Sequence, residues 1–357
     1  MSIPDFERFI VQTKLVLIAV LLNFIGAVDG YSFHDGTPNE CSDCHIINPD
    51  GSVSLKGSDP SSTCLPCHSR RDAYSIKSSD GSSFTAAGDF YWLSKTYKWT
   101  DEFNSVRTSS GSSHGHNIIA FDYGLFADER LTRAPGGTYP SNSLGCNSCH
   151  DPHAIKFSSY RLLGGIGYDA GGNQGFSFKN TSPIAAAPAN WTETDRNHVS
   201  YGSGFSEWCV NCHPTFINCK IDRPTHHPSC IVAYLGHDIA SNYRSYVRSG
   251  NFTGSKASAY LALVPFETGS QDIATLDPSS TAGPDADSNV MCLTCHRAHA
   301  SAFESIGRWD FLVTFLKDSH PDGAGDGSTY LDKKCSYYGR TFDYVQRQCC
   351  NKCHVRD

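Results

Sequence analysis

The pattern Cys-x-x-Cys-His recurs six times along this 357-residue chain, and no other feature limits its fold so strongly. The copies are Cys41-Ser-Asp-Cys44-His45, Cys64-Leu-Pro-Cys67-His68, Cys146-Asn-Ser-Cys149-His150, Cys209-Val-Asn-Cys212-His213, Cys292-Leu-Thr-Cys295-His296 and Cys350-Asn-Lys-Cys353-His354. Together they take twelve of the sixteen cysteines. Two thiols at this spacing reach the two vinyl groups on one side of a porphyrin, and the adjacent histidine then lies beneath the iron. A zinc ribbon or a thioredoxin-like pair explains one copy, but neither requires a histidine after the second cysteine every time. The set reads as six attachment sites for covalently bound haem c, with His45, His68, His150, His213, His296 and His354 as proximal ligands.

Six porphyrins would supply much of the apolar interior that this Gly- and Ser-rich chain, only 39% hydrophobic, lacks. Residues 31–357 leave about 54 residues per haem, so each cofactor must touch its neighbours. The expected fold is a multihaem cytochrome c, one elongated unit over 31–357, mostly coil with short helices and little sheet, organised around a chain of six haems. The proximal histidines are 23, 82, 63, 83 and 58 residues apart, which makes the first two haems close neighbours. Apolar spacing predicts helices over 231–248, 256–263 and 300–317. The Ser-, Gly-, Ala- and Pro-rich stretches 74–90, 168–190 and 267–290 read as loops.

Residues 15–27 form an apolar run too short to span a bilayer comfortably, preceded by Arg8 and Lys14 and followed by small residues. Residues 1–30 therefore read as a secretory signal, with a retained anchor as the alternative. No later stretch is apolar enough to cross a membrane, so the mature protein is expected without a membrane span, secreted and extracellular or at the cell surface, with the periplasm as the alternative. The formal charge is −7, and −6 without residues 1–30, so a basic nucleic-acid footprint is absent.

The sixth ligand of each iron separates conduction, which wants that position filled, from catalysis, which wants it open. Methionine cannot fill it: Met1 leaves with the signal, and Met291 directly precedes Cys292. Ten histidines lie outside the motifs: His34, His114, His116, His153, His198, His226, His227, His237, His299 and His320. His153 and His299 each follow a proximal histidine by three residues and cannot cross their own porphyrin, so each points to an adjacent haem. His114/His116 and His226/His227 are doubled, so one of each pair is a decoy candidate. His198, His237 and His320 are equally well read as solvated side chains. Two histidines per iron would give low-potential, low-spin centres.

The remaining cysteines bracket two loops, Cys219 with Cys230 and Cys335 with Cys349. In an oxidising compartment pairing within each bracket is the simplest arrangement, worth on the order of 3 kcal/mol per loop in the chain-entropy model. Free thiols are the alternative, and Cys349 also abuts Cys350.

Beyond the haem motifs, Gly88-Asp-Phe-Tyr-Trp-Leu-Ser-Lys-Thr-Tyr97, Gly115-His-Asn-Ile118, Ala134-Pro-Gly-Gly-Thr-Tyr-Pro140, Cys146-Asn-Ser-Cys-His-Asp-Pro-His153, Ser206-Glu-Trp-Cys-Val-Asn-Cys-His213, Ala257-Ser-Ala-Tyr260, Cys292-Leu-Thr-Cys-His-Arg-Ala-His299 and Tyr337-Tyr-Gly-Arg340 stand out. Through these the chain resembles, over nearly its whole mature length, the extracellular hexahaem cytochromes of the OmcS type, which polymerise into conductive filaments. The resemblance implies bis-histidine haems in a continuous chain and head-to-tail subunits. It supports His34, His116, His153, His227 and His299 as distal ligands. One departure matters: the family's first motif is followed three residues on by a histidine that ligates a haem of the neighbouring subunit, and here that residue is Asn48. Cross-subunit ligation is then lost or has moved to another histidine such as His34 or His237. The family pattern also lacks the four extra cysteines.

The leading expectation is a non-enzymatic electron conduit, a homopolymer that takes electrons from upstream redox donor cytochromes and carries them to external acceptors. A monomeric periplasmic shuttle is the first alternative. A multihaem reductase is the second, and it is opposed by the unbroken histidine endings of all six motifs.

Overall fold

The computed structural model describes residues 41–70, 74–100, 104–153, 160–173, 175–216, 228–320, 338, 340 and 342–354. Contacts divide the chain into Met1–Asp43 and Cys44–Asp357. The first unit contributes Cys41–Asp43, which open the one-turn helix α1 (Cys41–Cys44), and every other described element belongs to the second. The expected signal segment, His34, His227 and Cys219 lie outside the described residues.

Regular structure is sparse, as a Gly- and Ser-rich chain organised on cofactors should have it. Among the described residues the α-helices are α2 (Pro60–His68), α3 (Phe205–Cys209), α4 (Gly236–Ser245) and α5 (Cys292–Cys295), accompanied by three two-stranded antiparallel sheets and short 3-10 turns. In α2, Asp59 caps the N-terminus by accepting from the Ser62 backbone N–H at 2.8 Å, and Pro60 sits where no N–H is needed. The first sheet, β1 (His45–Ile47) with β2 (Val53–Leu55), pairs His45 with Leu55 and Ile47 with Val53. It turns through Asn48-Pro-Asp-Gly51, closed by Asn48 N–H to Ser52 O at 2.9 Å. β3 (Tyr97–Thr100) pairs with β4 (Val106–Ser109), and β5 (Ile184–Ala186) with the buried β6 (Ser200–Ser203).

The helix expectations hold only in part. The 231–248 prediction contracts to the ten residues of α4, and 256–263 to a single 3-10 turn at Lys256–Ser258. The stretch 300–317 has no α-helix, only 3-10 turns at Glu304–Ile306 and Leu316–Asp318. Its apolar residues meet a helical period because Phe303, Trp309 and Leu316 enter one cluster from a winding backbone, and Ser305 and Ile306 adopt left-handed φ of 55° and 58°. The stretch 168–190 carries β5 as well as loop.

The apolar interior is divided into clusters that lie between motifs. Leu65, Phe90, Leu93 and Ile118 pack beside Cys146, joining the second and third motifs. Tyr139, Ala170 and Phe178 pack with Trp208 and Cys212. Met291, Tyr201 and Phe205 pack with Trp208 and Leu293, joining the fourth and fifth. Trp309, Tyr243, Leu263 and Phe303 pack with Cys295 and Cys353, joining the fifth and sixth.

A staple expected at the C-terminal end is not formed. Cys349 is an unpaired thiol, 3% exposed, its side chain packed into the Trp309/Tyr338 cluster, while Cys335 lies outside the described residues. Burial raises its pKa. Cys230 is disulfide-bonded.

Candidate haem-binding site

Each proximal imidazole must offer one nitrogen lone pair to a metal, and the backbone decides which. His68 Nδ1 lies 3.1 Å from Tyr74 O, His150 Nδ1 2.7 Å from Arg161 O, His213 Nδ1 2.8 Å from Pro135 O and His296 Nδ1 2.7 Å from Ser305 O. A carbonyl only accepts, so in all four rings Nδ1 carries the hydrogen and Nε2 the lone pair. Local sequence builds these contacts. At Gly137, a Cβ would stand 1.9 Å from Cys212 O, so the Pro135-Gly136-Gly137 turn can close on the fourth motif only with glycine there.

Three proximal rings face a second histidine from elsewhere in the chain. His45 and His153 have centroids 6.1 Å apart, His213 and His116 6.1 Å, and His150 and His299 6.3 Å. A nitrogen–metal bond of about 2 Å on each side, plus roughly 1.1 Å from nitrogen to ring centre, separates two ligating imidazoles by about 6.2 Å. The residues present therefore fit an iron held between each pair. His116 is set by its Nδ1–H donating to Ala298 O at 2.7 Å and its N–H to His299 O at 2.9 Å. Gly115 permits this approach, since a Cβ there would lie 2.6 Å from the same His299 carbonyl. Burial pushes His116 down to about 4 and His299 to about 3, so both rings are neutral at neutral pH, the form that can ligate.

The motifs follow one another in space in chain order. The Cys64 and Cys146 thiols lie side by side, each shifting the other so that Cys64 is raised and Cys146 lowered, and Cys209 and Cys292 form a second such pair. Cys44 lies within electrostatic reach of Cys64, Cys149 of Cys212, and Cys295 of Cys350 and Cys353. Two of these junctions repeat one contact. The Cys146 N–H donates to Ser61 Oγ at 3.0 Å, and the Cys292 N–H to Ser206 Oγ at 3.1 Å. Each serine stands three residues before the first cysteine of the preceding motif.

The other histidines divide clearly. His114 has both ring nitrogens engaged, by Ser109 Oγ at 2.6 Å and Trp92 O at 3.3 Å. His198 lies near Val199 O and Ser280 O and stacks on Tyr260 at 3.6 Å. His320 holds Asp310 through Nδ1 at 2.8 Å and stacks on Trp99 at 4.0 Å. These are core residues, not the solvated ones that sequence allowed for His198 and His320. His237 is exposed in the first turn of α4. Met291, 1% exposed, is spent in the cluster beside α3.

Sequence reading missed the carbonyls of Tyr74, Pro135, Arg161, Ser305 and Ala298, since any residue supplies a carbonyl. It also missed a buried ion cluster behind the fifth motif. Glu193 Oε2 lies 2.8 Å from Arg297 Nη1 and 3.4 Å from Arg308 Nη1. Burial alone would raise the Glu193 carboxyl, but Arg308 and Arg297 outweigh it and hold it below its ordinary value.

No family model matches the chain. Among curated proteins it is similar to the C-type cytochrome OmcS of Geobacter sulfurreducens, 35% identical, covering 95% of this chain and 98% of that one. Among solved structures it resembles two from Geobacter sulfurreducens: the Outer Membrane Cytochrome S filament (36% identity, TM-score 0.75) and the OmcS nanowires seen by cryo-EM (36%, TM-score 0.77). Each likeness covers 89% of this chain and 98% of the other. With sequence and fold alike along nearly its full length, this chain belongs to the OmcS family of c-type cytochromes.

Proposed function

We propose that this chain is an exported electron conduit that carries six haems and assembles head to tail into an extracellular filament, passing respiratory electrons from donor cytochromes to external acceptors. The observation that carries the reading is the crossed ligation geometry. His153 of the third motif faces His45 of the first, and His299 of the fifth faces His150 of the third. A site whose two ligands hang from different motifs is filled on both faces and tied to its neighbours, which suits conduction and leaves no open face for a substrate.

Each bound haem would supply a one-electron ferric/ferrous couple, and the protein's part is to attach, ligate and shield it. Cys41 and Cys44, Cys64 and Cys67, Cys146 and Cys149, Cys209 and Cys212, Cys292 and Cys295, and Cys350 and Cys353 would form the thioethers. His153, His299 and His116 would complete the sites of His45, His150 and His213. His34, His227 and His237 are then the candidates for the sites of His68, His296 and His354. No helix among the described residues is long and apolar enough to cross a membrane. Assembly is supported by the filament relatives and by the apolar residues that β1 and β2 leave exposed, Ile46, Ile47 and Val53.

A monomeric periplasmic shuttle has one observation in its favour. Asn48, at the position where the family has its intersubunit histidine, is committed to the hairpin turn, its Nδ2 donating to Ser52 Oγ at 2.8 Å. Negative-stain microscopy of the secreted, haem-loaded protein separates the two. Filaments are expected, and monomers alone at high concentration would replace the first reading with the second.

A further inference from the structure

Two consecutive left-handed residues without glycine are costly, because Cβ crowds the following carbonyl, and a β-branched residue there is an outlier. Among the described residues this occurs in two places, Arg161-Leu162 (φ 54° and 56°) and Ser305-Ile306 (φ 55° and 58°). Both follow a proximal histidine at nearly the same distance, and both make the same contacts. Arg161 O and Ser305 O each lie 2.7 Å from the Nδ1 of His150 and His296. Leu162 O accepts from the Asp151 N–H at 2.7 Å, and Ile306 O from the Arg297 N–H at 2.8 Å. One step further, Gly164 N–H donates to Cys149 O and Arg308 N–H to Cys295 O, at 2.9 and 2.8 Å.

The geometry has a single explanation at both sites. Successive carbonyls of a left-handed pair point the same way, as in a turn of helix, so one receives the ring and the next the backbone immediately behind it. An extended pair would send them to opposite sides of the chain. The first motif offers the contrast: there the chain runs directly into β1, and among the described residues no left-handed pair follows and the buried His45 Nδ1 has no acceptor.

We propose that Arg161-Leu162 and Ser305-Ile306 are positioning elements, strained turns that fix the tautomer and orientation of His150 and His296 and strengthen them as axial ligands. Residues that hold the outer nitrogen of a ligating imidazole raise its basicity, and a stronger donor favours the oxidised metal. The irons on His150 and His296 therefore have lower potentials than the iron on His45. The inference rests on the reading of these histidines as axial ligands.

The test is spectroelectrochemistry on the haem-loaded full chain, comparing Ser305→Pro, which cannot adopt the left-handed φ, with Ser305→Gly, which can. In Ser305→Pro one of six potentials should rise by at least tenfold in the oxidised-to-reduced equilibrium, about 59 mV for one electron. In Ser305→Gly none should move. Six attached haems with unchanged potentials in Ser305→Pro overturn the inference while leaving the conduit reading intact; a parent protein without six haems overturns the conduit reading instead. Where Ser305→Pro does not mature, NMR of the reduced, unmutated protein decides. The Nδ1–H signals of His150 and His296 should persist after transfer to D2O, and loss of both at once would refute the proposal.

Discussion

Glu193→Gln removes the one carboxylate from a buried cluster of two arginines. Its side chain is 6% exposed, against 11% for Arg297 and none for Arg308, so the two guanidinium groups share a single carboxylate away from water. At an effective dielectric near 20, attractions at 2.8 and 3.4 Å are worth about 6 and about 5 kcal/mol before the cost of desolvation. Glutamine keeps the volume and a hydrogen-bonding oxygen, so the loss is the charge, and leaving a buried ion uncompensated costs about 3–5 kcal/mol. The same Nη1 groups also donate to the carbonyls of Thr85, Ala86 and Ala262, and Arg308 Nε donates to Leu293 O, which keeps the figure from growing. For a chain of this size the melting temperature should fall by roughly 5 °C, read from circular dichroism of the haem-loaded protein at pH 7. The pH dependence fixes the sign. Because the folded-state pKa is depressed below 4.5, the carboxylate's contribution is complete above that value and is lost as pH falls through the lowered one. The gap between parent and variant should therefore be full at neutral pH and close in acid. A variant that melts within about 2 °C of the parent at pH 7, or a gap that persists unchanged well below the folded pKa, would show that the carboxylate charge does not hold the two arginines in place.

Other outcomes depend on single residues. His153→Gly should turn about one sixth of the oxidised haem absorbance high-spin, given six motifs, and added imidazole should reverse it; an unchanged spectrum would mean that His153 is not the ligand opposite His45. Glu267→Gln should stabilise the protein in alkali. Burial raises that carboxyl to about 8, so the folded state resists its ionisation and loses stability as pH rises from its ordinary 4.5 through 8; denaturant titrations at pH 5 and pH 9 should show the benefit at pH 9 alone. Cys349 should resist a thiol reagent in the folded protein and react once denatured without reductant, and labelling of the native state would contradict its burial.

What could be read from sequence was the chemistry that residue types carry. Cys-x-x-Cys-His specifies a thioether pair and a proximal ligand whatever the surroundings, and the Gly/Ser-rich composition announced a coil-dominated chain. His153 and His299 were legible because three residues past a proximal histidine no ring can reach its own iron, and each indeed faces a ring of another motif. Hidden were the features set by backbone path. The run 300–317 has helical spacing, yet it packs Phe303, Trp309 and Leu316 into one cluster through turns that Ser305 and Ile306 adopt against their propensity. His198 and His320 look like surface residues until Tyr260 and Trp99 are stacked on them. Cys349 looks like half of a staple because loop length says nothing of the direction in which a thiol points. Motif order needed contacts such as Cys64 with Cys146, which no spacing encodes.

A density map of the native, haem-loaded assembly decides whether the chain is a conduit built on crossed ligation. It should show six porphyrins per subunit in the order of their motifs, in an unbroken line that continues into the next subunit, with His153, His299 and His116 on the irons of His45, His150 and His213. A break in the line within a subunit, or an iron of these three bearing a different sixth ligand, would contradict that arrangement.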